Sequence, residues 1–376
     1  MEHGGQARPV RVIALMNQKG GVGKTTTTVN LAAAIAAAGR DTLVIDLDPQ
    51  AHATLHLGQT AGQTDDSGTV YDILLDEGVD PAACVRPVDS RLHMMPSETD
   101  LAAAETELTG NPTRHGRLAG ALHRLGGAHE FVLIDCPPSL GLLTMNALAA
   151  ADEVLIPMQA HFLALQGVGK LLETVGLVRQ ELNPHLTVAG VVLCMHDNQV
   201  THAREVVADL ETFFENERGT GRAWSDARVY HPPIRRNIKL AECPSFGQTI
   251  MQYAPWAPGA SDYQKLAQTV IAEWDLAIGR QPQPAPAAEA SAAEAPAPEA
   301  TPTETPTVAP SPEPASAPSG TEGDQALPNV PNQSEPGQSE PGRSEHDLSD
   351  AEIHVLRGRL PAAPTSPAPA DTQGRA

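Results

Sequence analysis

Short apolar runs along the first 280 residues alternate with longer stretches in which apolar residues return every three or four positions. The runs at 10–16, 42–48, 92–96, 131–136, 153–158, 188–195 and 229–234 predict strands. The periodic stretches predict helices over 24–38, 69–76, 98–109, 114–125, 141–150, 167–181, 202–216 and 261–278. Alternation of this kind predicts an α/β fold, a mostly parallel twisted sheet with helices on both faces. Segments 59–68 and 217–227, rich in Gly, Ser, Asp and Thr, read as loops.

The pattern stops near residue 280, which divides the chain into a domain over 1–280 and a tail over 281–376. Nineteen of the 34 prolines fall in the tail, which has no Phe, Tyr or Trp. Such a segment cannot bury enough apolar surface to offset chain entropy and reads as disordered. As a flexible coil it would span roughly 55 Å root-mean-square. One island differs: Ser349 and Glu352 have capping-box spacing, and Ile353, Leu356 and Leu360 form a stripe before Pro361, so a short helix is expected over 350–360. It reads either as a transient helix with no role or as a docking element for a partner. It is too short, and too poor in lysine and bulky aromatics, for a membrane anchor.

Charge changes the picture less. The tail carries 14 acidic and 4 basic residues, net −10 of the chain's −21, which leaves −11 for residues 1–280. Net charge therefore marks neither part as a polyanion binder, and contact with nucleic acid would need a local basic patch. Cys84, Cys136, Cys194 and Cys243 are far apart and read as reduced core thiols. No leader and no 18-residue apolar run occurs, so a cytoplasmic location without membrane contact is expected.

The chemistry sits at residues 18–26, Gln18-Lys19-Gly20-Gly21-Val22-Gly23-Lys24-Thr25-Thr26, between the first strand and the first helix. Strand, glycine turn and helix in this order are the context a phosphate-binding loop requires. Glycines let backbone N–H groups converge on phosphate oxygens, and the helix start adds its positive dipole end. Lys24 is placed to neutralise β/γ-phosphate charge, and Thr25 has the hydroxyl that Mg²⁺ needs. The ordinary spacing asks for Gly at position 18, where this chain has Gln, and a second lysine, Lys19, opens the loop. Two more strands end in acids, Asp46 and Asp48 after one and Asp135 after the other. In an open parallel sheet all three are expected near the phosphates. Residues 166–170 imitate the loop, but no hydroxyl follows Lys170, and they read as a helix start.

Segments 19–50, 131–159, 191–199 and 235–250 together resemble the ParA/Soj family of deviant Walker A partition ATPases, a resemblance covering about residues 9–277. It implies a P-loop NTPase fold and a Mg²⁺-dependent ATPase that dimerises around two shared ATP molecules. It also implies a ParB-like centromere-binding partner, non-specific DNA binding and nucleoid association. By that match Lys19 reaches into the partner's phosphates, and Gly20 to Thr26 hold the nucleotide. Asp48 positions the hydrolytic water, and Asp135 supports Mg²⁺ through its shell. Residues 137–141 sense the γ-phosphate, and Asn237 contacts the nucleotide. Lys19 has an independent argument: two lysines on one phosphate repel, and donating one across a two-fold seam removes the conflict.

DNA contacts in such proteins fall on basic residues late in the domain, here Arg204, Arg235, Arg236 and Lys239, with Arg218, Arg222 and Arg228 nearby. A solvated face paired with local acids is the competing reading. The chain departs from the family at Asp197-Asn198-Gln199-Val200, which lacks an expected basic residue. It departs again at Ile234-Arg235-Arg236-Asn237, where an arginine replaces a proline. Two other functions stay open: a positioning ATPase recruited to another cargo through the tail, and an iron–sulfur electron-transfer enzyme. The latter needs two cysteines per subunit at the dimer axis, and only Cys136 is a candidate.

Overall fold

The computed structural model describes residues 9–59, 68–197 and 199–280; the tail, its expected helix over 350–360 and Asn198 lie outside them. Among the described residues eight strands form one sheet: β1 (Arg11–Leu15), β2 (Thr42–Asp46), β3 (Arg86–Pro87), β4 (Leu92–Met95), β5 (Phe131–Asp135), β6 (Glu153–Met158), β7 (Thr187–Leu193) and β8 (Arg228–Tyr230). Their order is β3-β4-β2-β5-β1-β6-β7-β8. Every neighbouring pair is parallel except β3 with β4.

The helices are α1 (Lys24–Ala37), α2 (His52–His56), α3 (Val70–Leu75), α4 (Ala104–Glu107), α5 (Arg117–Leu125), α6 (Leu142–Ala150), α7 (Phe162–Glu181), α8 (Thr201–Glu217), α9 (Ile238–Glu242), α10 (Ile250–Tyr253) and α11 (Pro258–Ala277). They cover both faces, which is why β1, β2 and β5 are buried at every position. On one face Val29, Leu31 and Ile35 of α1 meet Tyr263, Leu266 and Val270 of α11. On the other, residues of α3, α5, α6, α7 and α8 share a second apolar layer with Val12, Ile45 and Ile134. Among the described residues no helix is long and apolar enough to cross a membrane. All four cysteines are buried and free.

The elements differ from the sequence reading in several places. The ladder of β8 stops at Tyr230, not 234, because Pro232 and Pro233 offer no N–H. Helix α7 begins at Phe162 and runs straight through Gly167 and Gly169. The helix predicted over 98–109 splits into a 3₁₀ turn (Thr99–Ala103) and α4. Helix α11 starts three residues early, at Pro258, whose fixed φ suits a first helical position.

The sheet order has one consequence for function. β1 lies between β5 and β6, so the chain leaves β1 at the point where the strand order reverses, and the carboxyl ends there open onto a crevice.

Candidate nucleotide site

The loop between β1 and α1 turns through Gly21 at φ 71° and Gly23 at φ 99°, conformations that disfavour any other residue. A side chain at Gly23 would also meet Cys194, with Cβ 3.2 Å from its Cβ. Val22 tucks into the core at 2% exposure and anchors the loop. Beside this loop is a cavity of about 930 Å³, walled by Gly20, Gly21, Gly23 and Lys24 to Thr26 on one side. Asp48, Pro49, Gln50 and His52 form a second wall, Pro137 to Ser139 a third, and Met195, Pro244 and Ser245 the rim.

Thr25 and Asp135 define the chemistry of the floor. The Thr25 hydroxyl donates to Asp135 Oδ2 at 2.8 Å, and the Thr28 hydroxyl donates to Oδ1 at 2.9 Å. Thr25 thereby commits its proton to Asp135 and keeps its oxygen lone pairs free. A hydroxyl oxygen held by a buried carboxylate is a hard-oxygen donor set that suits Mg²⁺, which takes its remaining ligands from phosphate and water. Among the described residues no group of three or more His, Cys, Asp or Glu is arranged to hold a metal alone.

Burial raises the Asp135 carboxyl well above the usual carboxylate range, and the Asp46 carboxylate beside it adds to the rise. The hydroxyls of Thr25 and Thr28 and the Lys24 ammonium pull the other way. The two acids are direct neighbours across β2 and β5. Lys24 is itself buried, which lowers its pKa against the opposing pull of Asp135 and Asp48. Its Nζ donates to the Lys19 carbonyl at 3.4 Å. The group therefore holds two buried acids and one buried cation, an arrangement short of positive charge at its centre.

Asp46 departs from expectation. It is fully buried, does not line the cavity, and accepts the Asp48 N–H at 3.1 Å and both the N–H and hydroxyl of Thr54 at 2.8 Å. Its role is to clamp the start of α2 to the end of β2. Ser97 completes the clamp by donating its hydroxyl to the Asp48 carbonyl at 2.7 Å. Asp48 is thus fixed by its backbone while its side chain lines the cavity, where Oδ1 accepts the Gln50 N–H at 3.0 Å.

A second cavity of about 500 Å³ shares Gly23, Thr26 and Met195 with the first. Cys194, Ile234, Ile238, Leu240, Ala241 and Tyr263 give it a largely apolar wall. Asn237 also lines it and caps α9, its Oδ1 accepting the Lys239 N–H at 2.9 Å. An apolar slot beside a phosphate cradle has the form of a nucleobase site. The cavity walls are bridged behind α2: His56 Nε2 lies 3.5 Å from Cys243 Sγ, and Gly58 and Gly247 meet backbone to backbone.

Lys19 behaves differently from its neighbours. Its side chain does not line the cavity, and its Nζ donates to His161 Nε2 at 2.7 Å. Its N–H donates to Asn17 Oδ1 at 3.0 Å.

Of the seven late cations, five are held in ion pairs. Arg235 grips Asp262 at 2.7 Å, Lys239 Glu242 at 2.7 Å, Arg218 Glu215 at 2.9 Å, and Arg222 Glu217 at 3.0 Å; Arg228 pairs with Glu273. Arg204 and Arg236 are exposed and have no ion pair among the described residues. The expected continuous stripe is therefore mostly neutralised locally.

Some site residues answer to no chemical motif of their own in the sequence, although Gln159 and Met195 fall in the family-like segments 131–159 and 191–199. Met195 sits at φ 51° on the rim, Thr54 and Ser97 brace Asp48, and Gln159 donates to the Gly21 carbonyl at 3.2 Å. They come from distant segments, and no spacing rule joins them to the loop.

Fold and cavity together define a P-loop nucleotide-binding domain. A family model described as an AAA domain matches residues 10–188. The chromosome-partitioning ATPase Soj of Thermus thermophilus is 45% identical over 263 residues, 70% of this chain and 96% of that protein. The chromosome partitioning protein ParA of Myxococcus xanthus is 41% identical over 275 residues, 71% of this chain and 90% of that protein. Among solved structures, cobyrinic acid a,c-diamide synthase of Mycobacterium smegmatis, with bound ADP and magnesium, matches with 35% identity and a TM-score of 0.59. That match covers 71% of this chain and 96% of the other. The chain belongs to the ParA/Soj family of chromosome-partitioning ATPases.

Proposed function

We propose that this protein hydrolyses Mg·ATP as a switch for DNA partition. The ATP-bound form is a sandwich dimer that holds non-specific DNA, and a ParB-like partner stimulates hydrolysis and release. The observation that carries this reading is the convergence of Lys24, Thr25 and Asp48 on one cavity, with the Thr25 hydroxyl held by Asp135. The ADP and magnesium bound to the mycobacterial relative support the choice of ligands.

Residues 20–25 cradle the phosphates with backbone N–H groups, and Lys24 brings its ammonium to the β- and γ-phosphates. Magnesium on the Thr25 oxygen would neutralise charge building on the β- and γ-phosphate oxygens. The Asp48 carboxylate, on a backbone that Asp46 and Ser97 hold in place, orients water for in-line attack. Residues 137–139 line the same cavity and respond when the γ-phosphate leaves. Each Lys19 crosses a two-fold seam to the partner's phosphates, which makes ATP part of the interface. Arg204 and Arg236 are the cations free to meet DNA phosphates. Asn237 and the apolar slot take the base.

The test is ATP-dependent DNA retention by wild type, Lys19→Ala and Asp48→Ala. Lys19→Ala should lose both dimer and DNA binding, whereas Asp48→Ala should stay dimeric and DNA-bound because turnover stops. Equal retention with ADP and ATP in the wild type would remove the switch.

A further inference from the structure

We propose that His161 is a positioning residue that stores Lys19 outside the nucleotide cavity of the single protomer and so sets the threshold for dimer closure. The proposal rests on the reading of Lys19 as the cation donated across the seam.

The geometry is specific. Lys19 follows β1 and His161 follows β6, neighbouring strands in the sheet, so both side chains stand at the same carboxyl-end rim. Nζ and Nε2 are 2.7 Å apart across 142 residues of sequence. An ammonium has three N–H donors and no acceptor, so the imidazole must accept through Nε2 and carry its proton on Nδ1. The backbone of the loop is held independently. The Lys19 N–H donates to Asn17 Oδ1, and the Asn17 amide donates to the Pro157 carbonyl at 2.8 Å. Gln159, two residues before His161, donates its amide to the Gly21 carbonyl at 3.2 Å. The loop after β6 therefore fixes the phosphate loop at one point and takes the lysine at another. Removing the imidazole would free the side chain without releasing the loop.

Storage solves a problem the single protomer faces. Lys24 already occupies the cavity, its Nζ against the Lys19 carbonyl, and a second ammonium beside it would meet repulsion. The choice of a neutral acceptor also matters. A carboxylate at 161 would hold Lys19 by a full ion pair and resist its transfer, whereas a single exposed hydrogen bond to imidazole yields to the multiple charges of a triphosphate.

Closure requires each protomer to break one such bond. An exposed contact of this kind shifts an equilibrium by about threefold, and two-fold symmetry squares the effect to about tenfold on dimer dissociation.

The experiment measures the dimer dissociation constant of the full chain by mass photometry with Mg²⁺ and a non-hydrolysable ATP analogue. Wild type, His161→Ala, His161→Gln, Lys19→Ala and Lys19→Ala/His161→Ala are compared, with ADP affinity and far-UV circular dichroism as checks on folding. His161→Ala should tighten the dimer about tenfold. His161→Gln, whose amide oxygen restores an acceptor, should return it to within about threefold of wild type. The double variant should match Lys19→Ala, because His161 acts only through Lys19. ADP affinity of His161→Ala and His161→Gln should stay within about twofold of wild type, since His161 does not touch the cavity. A His161→Ala dimer equal to or weaker than wild type overturns the proposal, as does tightening that persists without Lys19. If Lys19→Ala dimerises like wild type, the cross-seam reading itself fails, an outcome separable because His161 is intact in that variant.

Discussion

Gly190→Ala tests how closely the architecture fixes the site. Gly190 lies in β7 at φ 148°, paired with Leu155 of β6 and Arg228 of β8. The register there skips Ala189, so this is a β-bulge. An added Cβ would lie 2.0 Å from the Arg228 carbonyl oxygen and 3.0 Å from the Arg228 nitrogen, both backbone. Neither atom can withdraw without opening the three paired positions between β7 and β8. The backbone conformation alone costs an alanine about 2 kcal/mol. Partial exposure of Val229 and Tyr230, now 7% and 2% exposed, adds about 2 kcal/mol more. A loss of about 4 kcal/mol corresponds to a fall of about 10 °C in Tm for a domain of this size. Because β7 leads directly into Cys194 and Met195, nucleotide affinity should fall with it. Thermal unfolding followed by circular dichroism, with ADP titration at 15 °C, reads both. A variant that melts within about 2 °C of wild type would refute the steric argument.

Three further outcomes follow from the site and its surroundings. Thr25→Ala removes the oxygen that Asp135 orients, and calorimetry should show Mg²⁺-dependent nucleotide affinity falling about 100-fold while affinity in EDTA is nearly unchanged; equal enhancement by Mg²⁺ in both proteins would contradict the metal assignment. His129, buried and edge-on to His93 with ring centroids 4.9 Å apart, has its pKa lowered to about 4, first by burial and then by His93. The unfolded chain takes up a proton below about pH 6.5 that the folded one refuses, so this stability is full above 6.5 and lost as pH falls toward 4. In urea titrations wild type should therefore lose up to about 2 kcal/mol more than His129→Leu between pH 7 and pH 5, and parallel slopes would count against it. Arg204→Ala/Arg236→Ala should lower the slope of log K against log salt for duplex DNA by roughly 2, while Arg218→Ala, already paired with Glu215, should leave it unchanged.

The sequence carried the strand order's raw material and the heart of the cavity, because both depend on local pattern. Apolar runs ending in Asp46 and Asp135, and the glycine turn before Lys24, are short-range features that burial and phosphate chemistry dictate. What sequence reading lost was set by tertiary contact. Helix α2 is five residues long and exists because Asp46 receives two donors from Thr54. Asp46 looked like a third phosphate-facing acid, and only the fold could reveal that its oxygens were already taken. Among the late cations, Arg218, Arg222 and Lys239 pair with acids close by in sequence, as the competing reading allowed. Arg235 and Arg228 instead pair with Asp262 and Glu273 of α11, more than 25 residues away and beyond the reach of local pattern. Helix α7 starts before the expected residue 167 and carries Gly167 and Gly169 within it, because Val168, Leu171, Leu172 and Val175 pack into a core that holds them helical.

The contact between Gly58 and Gly247 has a mechanical implication. One glycine follows the segment that carries Asp48, and the other follows the turn that carries Pro244 and Ser245, on the way from α9 to α10. With bare main chain touching main chain, and His56 against Cys243 beside it, no compliant side chain lies between the two segments to absorb displacement. A shift of the segment after α2 must therefore push the turn at Pro244 and Ser245 directly, as a strut does, without any long relay.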